Sequence, residues 1–267
     1  MSISNAQDET PRKRVGLALG GGIVRGLAHI GVLAVLEENH IPVDYVAGTS
    51  AGSIIATAFC AGWSAEEIHE RALKFRWRHI ARPTWPWLGL MSFDRLAVQM
   101  VREFGDVHFE DLKIPLTVVA TDINTGGPVR FSQGRVAPAV QGSCSLPGLV
   151  APLRLGEHLL CDGGMSDMVP VDVLRDMGAE VVIGVDVFEF KIRRYLGPLG
   201  YMLAALEIVL ERAGGGIAQA DCMITPRLAG KTYLRFSKRR EMYELGRQAA
   251  LEKVACIRGM VYGAGTA

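Results

Sequence analysis

The chain has 267 residues, 49% of them hydrophobic, and its 29 lysines and arginines nearly balance its 28 acidic residues. This composition allows a large buried core and excludes intrinsic disorder. The near-neutral charge gives no electrostatic footprint for nucleic acid. Five scattered cysteines without a Cys-x-x-Cys pair argue against a disulfide framework and a zinc site, and favour a reducing, cytoplasmic compartment.

Residues 1–14 are polar and of mixed charge, without the apolar stretch of a secretory signal. We expect them to form a flexible tail, and residues 15–267 to form a single domain with a core over 15–186 and a mainly helical part over 199–262. Residues 45–65 carry no charge, but glycines and hydroxyl groups interrupt them. They are predicted to be a buried strand and helix rather than a membrane span.

The N-terminal third alternates strands, glycine turns and helices. The apolar run Val15–Leu19 predicts a buried strand that leads into a glycine loop. Apolar residues at helical spacing then predict a helix over 26–39, which His40-Ile41-Pro42 ends. A second strand is predicted over 43–47, and a helix follows the pentapeptide at 48–52.

The rest of the chain continues this alternation. A capping box at 64–67 predicts the start of a further helix. Strands are predicted over 115–121, 129–131, 159–161 and 180–186, and helices over 171–177, 199–212 and 238–260. Strands that alternate with helices favour a mostly parallel sheet covered on both faces. The predicted fold is therefore α/β, a three-layer α/β/α sandwich.

The pentapeptide Gly48-Thr49-Ser50-Ala51-Gly52 lies between a predicted strand and a predicted helix. In that context Gly-x-Ser-x-Gly is typical of a nucleophile elbow, where the serine occupies a strained turn. Gly48 and Gly52 are needed because neighbours with a Cβ would collide with the strand and the helix. Ser50 is the candidate nucleophile, and a purely structural turn is the alternative.

A serine nucleophile needs a base to take its proton. None of the six histidines follows His158, and none lies in a position that invites this role; His29 is expected to be a packed or capping histidine. Asp162 is the better candidate, because it ends a short apolar strand and precedes Gly163 and Gly164, which allow close backbone approach. Most Asp-Gly pairs only cap turns. Other aspartates remain candidates: Asp44, Asp122 and Asp186.

The glycine loop is the candidate oxyanion hole. Such a loop can point successive N–H groups at one spot before a helix N-terminus. The candidate donors are Gly20, Gly21, Gly22, Ile23, Arg25 and Gly26. Nucleotide binding is the weaker alternative, because the Rossmann pattern needs a glycine at position 25 and a Walker A Gly-Lys-Ser/Thr is absent.

The order of these motifs resembles the patatin-like phospholipases, most closely their bacterial members and the catalytic domain of neuropathy target esterase. The resemblance rests on the loop with Arg25-Gly26, the pentapeptide at 48–52 and Asp162-Gly163-Gly164. Shorter matches are found at 27–33, 120–126, 143–148 and 169–171. It covers about residues 15–186 and, more weakly, the C-terminal part.

This resemblance implies a Ser–Asp dyad without histidine, in which Ser50 is the nucleophile, Asp162 the base and the glycine loop the oxyanion hole. It implies hydrolysis of carboxylic esters in phospholipids or lysophospholipids through an acyl-enzyme, with no metal and no cofactor. An apolar surround is expected to raise the pKa of Asp162. The family often has a glycine where this chain has Ile23, and a β-branched residue is not expected to adopt a positive φ there, which leaves the amide donors open.

Two other functions remain open: acyl transfer to another acceptor by the same dyad, and a non-catalytic regulatory protein with this fold. The expected partner is a lipid ester, with transient contact at the inner face of the membrane as an option. Residues 77–91, rich in tryptophan and proline, predict either a packed loop or an exposed apolar lip for lipid. The basic runs at 12–14 and 238–240 are expected to be solvated, with a membrane contact as the minor alternative. The oligomeric state is left open.

Overall fold

The computed structural model describes residues 12–85, 89–188, 197–213, 219–228 and 236–263. The predicted α/β class is confirmed, because helices flank a central, mostly parallel sheet. The strands are β1 (Val15–Leu19), β2 (Tyr45–Thr49), β3 (Arg82–Pro83), β4 (Met91–Ser92), β5 (Leu116–Asp122), β6 (Pro128–Phe131), β7 (Leu153–Leu155), β8 (His158–Cys161), β9 (Val181–Val185) and β10 (Cys222–Ile224). The helices are α1 (Leu27–Glu38), α2 (Ala51–Cys60), α3 (Ala65–Lys74), α4 (Asp94–Phe104), α5 (Val136–Ser143), α6 (Val171–Asp176), α7 (Gly197–Arg212), α8 (Arg239–Leu251) and α9 (Val254–Tyr262).

The strand order places the two key turns side by side. The main sheet runs β10-β9-β1-β2-β5-β8-β7, with β6 also paired to β5. The strands from β10 to β5 are parallel, whereas β6, β7 and β8 are antiparallel to their neighbours. Leu19 of β1 pairs with Gly48 of β2. The glycine loop and Ser50 therefore leave the sheet next to each other at its carboxyl edge, where open α/β sheets bind ligands.

The sheet separates two apolar cores of unequal size. Leu17 of β1 belongs to the larger core, with α1, α2 and α5. The next residue, Ala18, faces the smaller core, which α6 and Leu210 of α7 complete. This alternation follows from the two-residue period of a strand, and it explains why β1 is apolar throughout.

Several predicted elements agree with the structure. Residues 45–65 form β2, α2 and the start of α3, as expected for a buried strand and helix. The capping box is confirmed, because the Ser64 hydroxyl accepts a hydrogen bond from the Glu67 amide and the Glu67 carboxylate accepts one from the Ser64 amide. Within the described ranges, none of the helices combines the length and the apolar composition needed to cross a membrane.

The single helix predicted over 238–260 is wrong, because the chain forms α8 and α9 with a break at Glu252 and Lys253. The break allows Ala250 of α8 and Ile257 of α9 both to be fully buried. Neither break residue is a glycine or a proline, so the sequence carries no local signal for it.

Residues 12–14, which fall in the predicted tail, are bonded to the sheet. Arg12 forms a bidentate ion pair with Asp44, with N···O distances of 2.7 and 2.8 Å. The Arg14 amide donates to the Glu180 carboxylate. Residues 1–11 lie outside the described ranges.

The C-terminal helix α8 packs closely on α1 through two glycines. A Cβ added at Gly31 would collide with the Tyr243 carbonyl, and one at Gly246 would collide with the Ala28 carbonyl. A bidentate ion pair between Arg247 and Glu38 lies at the same interface. Small residues allow two helix backbones to approach, so these glycines set the spacing of α1, the helix that follows the glycine loop.

We expect Gly246→Ala to lower the free energy of unfolding by about 1–3 kcal/mol, because the new methyl group overpacks the α1–α8 interface. Gly259→Ala is the matched control, since Gly259 lies in α9 with open space around it. There, alanine should raise the free energy of unfolding by about 0.5–1 kcal/mol. Urea denaturation followed by circular dichroism measures both values. Equal effects of the two substitutions would contradict the close packing of α1 and α8.

Candidate active site

Ser50 occupies a strained turn between β2 and α2, with φ 50° and ψ −123°. Hydrogen bonds on both sides hold this conformation. The Ser50 amide donates to the Ser143 hydroxyl at 2.8 Å, and that hydroxyl donates to the Val119 carbonyl at 2.6 Å. The Ser53 hydroxyl donates to the Ser50 carbonyl at 2.6 Å. Strain of this kind persists where the surroundings over-determine it, and it clusters at functional sites.

Glycines surround Ser50 because backbones approach it closely. A Cβ added at Gly52 would collide with the Leu19 carbonyl, and one at Gly48 would lie 2.8 Å from the Cα of Ser53. The steric reason predicted for Gly48 and Gly52 is therefore confirmed. The glycine loop lies against the same turn, since a Cβ added at Gly26 would lie 2.7 Å from that of Ala51.

The structure brings Asp162 to Ser50. The Ser50 hydroxyl donates to the Asp162 Oδ2 at 2.7 Å, and the Gly164 amide donates to Oδ1 at 2.9 Å. The Asp162 amide donates to the Ser145 carbonyl, and its carbonyl accepts from the Thr121 hydroxyl. Both carboxylate oxygens and both backbone groups of Asp162 are thus bonded, which fixes the side chain toward Ser50.

Gly163 explains how the chain reaches this position. Cys161 of β8 pairs with Thr121 of β5, and the chain then passes directly over the Val119 carbonyl. A Cβ added at Gly163 would collide with that carbonyl. At Gly164 a Cβ would lie 2.9 Å from the Cε of Met168. The Asp-Gly-Gly turn therefore does more than cap a turn, because it lets Asp162 cross the sheet edge.

Ser50 and Asp162 are both buried, with 7% and 6% of their surface exposed. Burial raises the pKa of Asp162 to about 6, although the hydrogen bonds from Ser50 and Gly164 act in the opposite direction. Removal from water disfavours the charged carboxylate, and this effect is the larger one. The expected rise in the pKa of Asp162 is confirmed, and the carboxylate is a better proton acceptor near neutral pH than a free aspartate.

All six histidines lie within the described ranges, and none is within hydrogen-bond distance of the Ser50 hydroxyl. His29 is fully buried on α1, as expected for a packed histidine. Burial lowers its pKa to about 4, so the ring is neutral at pH 7. Its Nε2 lies 2.8 Å from the Gly20 carbonyl, which can only accept, so Nε2 carries the proton and ties α1 to the glycine loop.

The other candidate aspartates have structural partners away from Ser50. Asp44 binds Arg12 and accepts from the Val15 amide. Asp122 pairs with His158 at 3.0 Å and accepts from the amide of Asn124. Asp186 accepts from the Phe188 amide. Of the four candidates, Asp162 alone contacts the serine.

The hydrogen bonds of the glycine loop narrow the set of oxyanion donors. The Gly20 amide donates to the Val185 carbonyl, the Gly21 amide to the Met168 carbonyl, and the Arg25 amide to the Gly22 carbonyl. These three predicted donors are therefore already engaged. Gly26, the last predicted donor, ends the 3-10 helix Ile23–Gly26. The amides of residues 22–24 have no acceptor among the described residues, so Gly22 and Ile23 are the predicted donors that remain available.

The expectation that Ile23 would avoid a positive φ is wrong, because its φ is 52°. Gly22 is extended, with φ 169°, and Ile23 then turns the chain into a 3-10 helix, Ile23–Gly26. The left-handed conformation costs a β-branched residue on the order of 1–2 kcal/mol. The backbone at position 23 therefore adopts a conformation typical of glycine, although the residue is isoleucine.

Ser143 and Ser145 are the supporting residues that sequence reasoning did not assign. Their segment holds both Ser50 and Asp162, since the Ser143 hydroxyl binds the Ser50 amide and the Ser145 carbonyl binds the Asp162 amide. The run at 143–148 was part of the family resemblance, which was the available signal. The role of this segment depends on contacts with β5 and with the turns that follow β2 and β8, which no local pattern encodes.

A cavity of about 660 Å³ opens beside the dyad, and Ser50 and Asp162 both lie in its wall. Its lining is mainly apolar and comes from α2, α3, α4 and the 146–150 loop. Ile54 lines it one helical turn after Ser50, on the same face of α2. Charged side chains of α3 and α4, including Arg71 and Glu103, also line it.

One part of the segment 77–91 fits the predicted packed loop, and another part fits the predicted exposed lip. Trp77 is half-buried and lines the cavity. Trp85 is 73% exposed and Leu90 is 54% exposed, as an apolar lip would be. The prediction for Trp87 lies outside the described residues.

The sequence model of the patatin-like phospholipases matches residues 17–175, which include both Ser50 and Asp162. The chain belongs to this family. A second comparison agrees: lysophospholipase nte1 of Aspergillus fumigatus is 36% identical over 181 residues, which cover 66% of this chain and 12% of that protein. Human patatin-like phospholipase domain-containing protein 6 is also 36% identical over 181 residues, covering 65% and 13%. This patatin-like chain thus spans about an eighth of the length of these relatives.

Two solved structures share the fold. VipD from Legionella pneumophila superposes with a TM-score of 0.55 at 15% identity, covering 92% of this chain and 67% of that one. The type III effector protein ExoU gives 0.51 at 13% identity, covering 93% and 54%. At this level of identity the likeness concerns the patatin-like fold alone.

The raised pKa of Asp162 predicts how Ser50 reactivity depends on pH. The rate of Ser50 labelling by a fluorophosphonate should rise about tenfold per pH unit below 6 and level off above it, because the carboxylate must be unprotonated to accept the proton. Stopped-time labelling between about pH 4 and pH 8 measures this profile.

Asp167 provides the control, since burial also raises its pKa to about 6. Asp167→Asn should keep the rise of the labelling rate with pH, and Asp162→Asn should abolish it. A profile that survives Asp162→Asn but disappears in Asp167→Asn would contradict the assignment.

Proposed function

We propose that this chain hydrolyses carboxylic ester bonds of phospholipids or lysophospholipids with Ser50 as nucleophile and Asp162 as base. The observation that carries the proposal is the 2.7 Å hydrogen bond from the Ser50 hydroxyl to the Asp162 carboxylate, in the wall of a mainly apolar cavity. A buried base beside a serine on a strained turn is the arrangement that nucleophilic catalysis requires. The apolar cavity favours an acyl chain as the bound part of the substrate.

The reaction proceeds in two half-reactions. Asp162 takes the Ser50 proton as the serine oxygen attacks the ester carbonyl, and the leaving alcohol or lysolipid takes that proton as the tetrahedral intermediate collapses. Water then gives its proton to Asp162 and attacks the acyl-serine. The Ser50 oxygen leaves with that proton, and the fatty acid is released.

The negative charge on the tetrahedral intermediate falls near two groups of dipoles. The amides of Gly22 and Ile23 have no acceptor among the described residues and lie in the loop that packs on the elbow. The N-terminus of α2 begins immediately after Ser50 and adds partial positive charge. Pre-positioned donors of this kind are typically worth about 3–4 kcal/mol each to a transition state.

The names of the relatives support the same substrate class. The Aspergillus protein is named a lysophospholipase and the human one a patatin-like phospholipase domain-containing protein. Because the chain matches only a small part of each, the class of reaction is proposed here and their partners are not carried over.

Turnover of a short-chain nitrophenyl ester tests the dyad. Ser50→Ala and Asp162→Asn should each lower kcat/KM by at least about 10³-fold, because the two residues act as a unit. Ser132→Ala and Asp176→Asn are matched controls on exposed residues, and each should stay within about twofold of the wild type.

Three results would contradict the proposal. Asp162→Asn with wild-type kcat/KM would exclude this aspartate as the base. A wild-type protein that neither turns over the ester nor reacts with a fluorophosphonate would favour a regulatory role. Transfer of the acyl group to an added alcohol in preference to water would favour acyl transfer.

The cavity predicts a preference for long acyl chains that one substitution should remove. Ile54→Trp places a large ring in the cavity one turn from Ser50. The ratio of kcat/KM for a nitrophenyl palmitate to that for the acetate should fall at least about tenfold. The longer chain needs the part of the cavity that the new ring occupies. Val98→Trp, at a position 68% exposed on α4, is the control and should leave the ratio unchanged. An unchanged ratio in Ile54→Trp would exclude this cavity as the acyl site.

A further inference from the structure

Positive charge is concentrated in one short segment of an otherwise neutral chain. Residues 71–82 contain five cations and no acidic residue, whereas the whole chain has 29 basic and 28 acidic residues. The cations are Arg71, Lys74, Arg76, Arg78 and Arg82. This segment runs from the end of α3 to β3, along the side of the cavity.

The tertiary structure adds the second basic run to this segment. The Arg239 guanidinium donates to the carbonyls of Leu73 and Phe75, with a distance of 2.7 Å to the latter. Burial, and then the nearby charge of Arg76, lower the pKa of Arg239. Residues 238–240 therefore lie beside residues 71–78, although the two runs are far apart in sequence.

The cations of this surface differ in their partners. Arg71 pairs with Glu103, and Arg82 pairs with Asp94 at 2.5 Å. Lys74, Arg76, Arg78 and Arg240 are exposed, and no acidic group of the described residues lies within ion-pair distance of them. We call these four residues the basic rim. Like charges that gather without counter-charges repel one another, and an external anion relieves that repulsion.

The basic rim is continuous with the cavity and with the exposed apolar lip. Lys74 lines the cavity, as do Phe75 and Trp77 between the rim cations. Trp85 lies two residues after β3 and Leu90 immediately before β4, and these two strands pair with each other. This surface thus carries cations without an acidic partner among the described residues, and an exposed tryptophan beside the cavity. This combination suits the headgroup region of a membrane, where lipid phosphates bind cations and amphipathic aromatic rings are accommodated.

We infer that the basic rim, with Trp85 and Leu90, docks the chain on an anionic lipid surface. The cations bind lipid phosphates, and the apolar lip enters the headgroup region beside the cavity. This inference rests on the proposed function in one respect only: the docked surface is taken to be the route by which a lipid ester reaches Ser50.

Vesicle binding by the Ser50→Ala variant tests the inference without requiring hydrolysis. The probe is a sedimentable vesicle of phosphatidylcholine, with or without about 30 mol% phosphatidylglycerol. We expect the anionic vesicles to bind at least about tenfold more protein, and about 0.5 M NaCl to remove most of that difference. Because Ser50 is already replaced, failure of the proposed chemistry would leave this result unaffected.

Charge-reversal triples locate the surface. Arg76→Glu, Arg78→Glu and Arg240→Glu together should lower the partition coefficient on anionic vesicles at least about tenfold, since each cation near an anionic leaflet contributes about fivefold. Arg154→Glu, Arg227→Glu and Lys253→Glu change the net charge equally at other exposed positions, and this triple should bind within about threefold of its parent. The melting temperature of both triples checks that they fold.

Three outcomes would overturn the inference. Equal binding to neutral and anionic vesicles would remove the role of charge. An equal loss in both triples would make the effect one of net charge rather than of this surface. Displacement by inorganic phosphate beyond that by sodium chloride of the same ionic strength would indicate a small-anion site instead of a lipid surface.

Discussion

The function proposed for this site depends on the hydrogen bond between the Ser50 hydroxyl and the Asp162 carboxylate. It joins side chains 112 positions apart at a distance of 2.7 Å. Two close backbone approaches make it geometrically accessible: Gly52 lies against the β1 end, and Gly163 lies over β5. The segment at 143–145 binds the amides of both partners. Ser50 and Asp162 are therefore held by three other parts of the chain, the end of β1, β5 and the segment at 143–145, which meet at one edge of the sheet.

The strained backbone of the site lowers the free energy of unfolding, and burial of apolar side chains in the two cores must offset this cost. Ser50 and Ile23 both have left-handed backbones, and each is expected to cost on the order of 1–3 kcal/mol. Asp162 adds a pH-dependent cost, because its pKa in the folded chain is above that of a free aspartate. Its contribution to stability is full below the unfolded pKa near 4 and is lost as the pH rises through about 6. The contribution of Asp162 to the free energy of unfolding is thus smallest at the pH where its carboxylate is free to accept a proton, a common trade between stability and function.

Three kinds of surface meet around the dyad, and together they fit a lipid ester. In the proposed reaction the cavity binds the acyl chain and the amides of Gly22 and Ile23 stabilise the negative charge of the intermediate. The basic rim lies at the side of that cavity. The rim is a local excess of positive charge that the net charge conceals, since the whole chain is close to neutral. A lipid surface accounts for the rim, the exposed Trp85 and the cavity with one partner.

Local patterns in the sequence determined the strand of β1, the elbow at Ser50, the Asp-Gly-Gly turn and the capping box of α3, because each depends on residues within one turn of chain. Local patterns also favoured Asp162 as the base and left other aspartates open, and the family resemblance implied the Ser50–Asp162 dyad. Only the tertiary structure decided which loop amides are engaged, that Ile23 adopts a glycine-like conformation, and that Ser143 binds the Ser50 amide. It alone divided α8 from α9 and brought residues 238–240 beside the basic rim. Hydrogen-bond partners, burial and charge proximity arise between segments distant in sequence, and no local pattern encodes them.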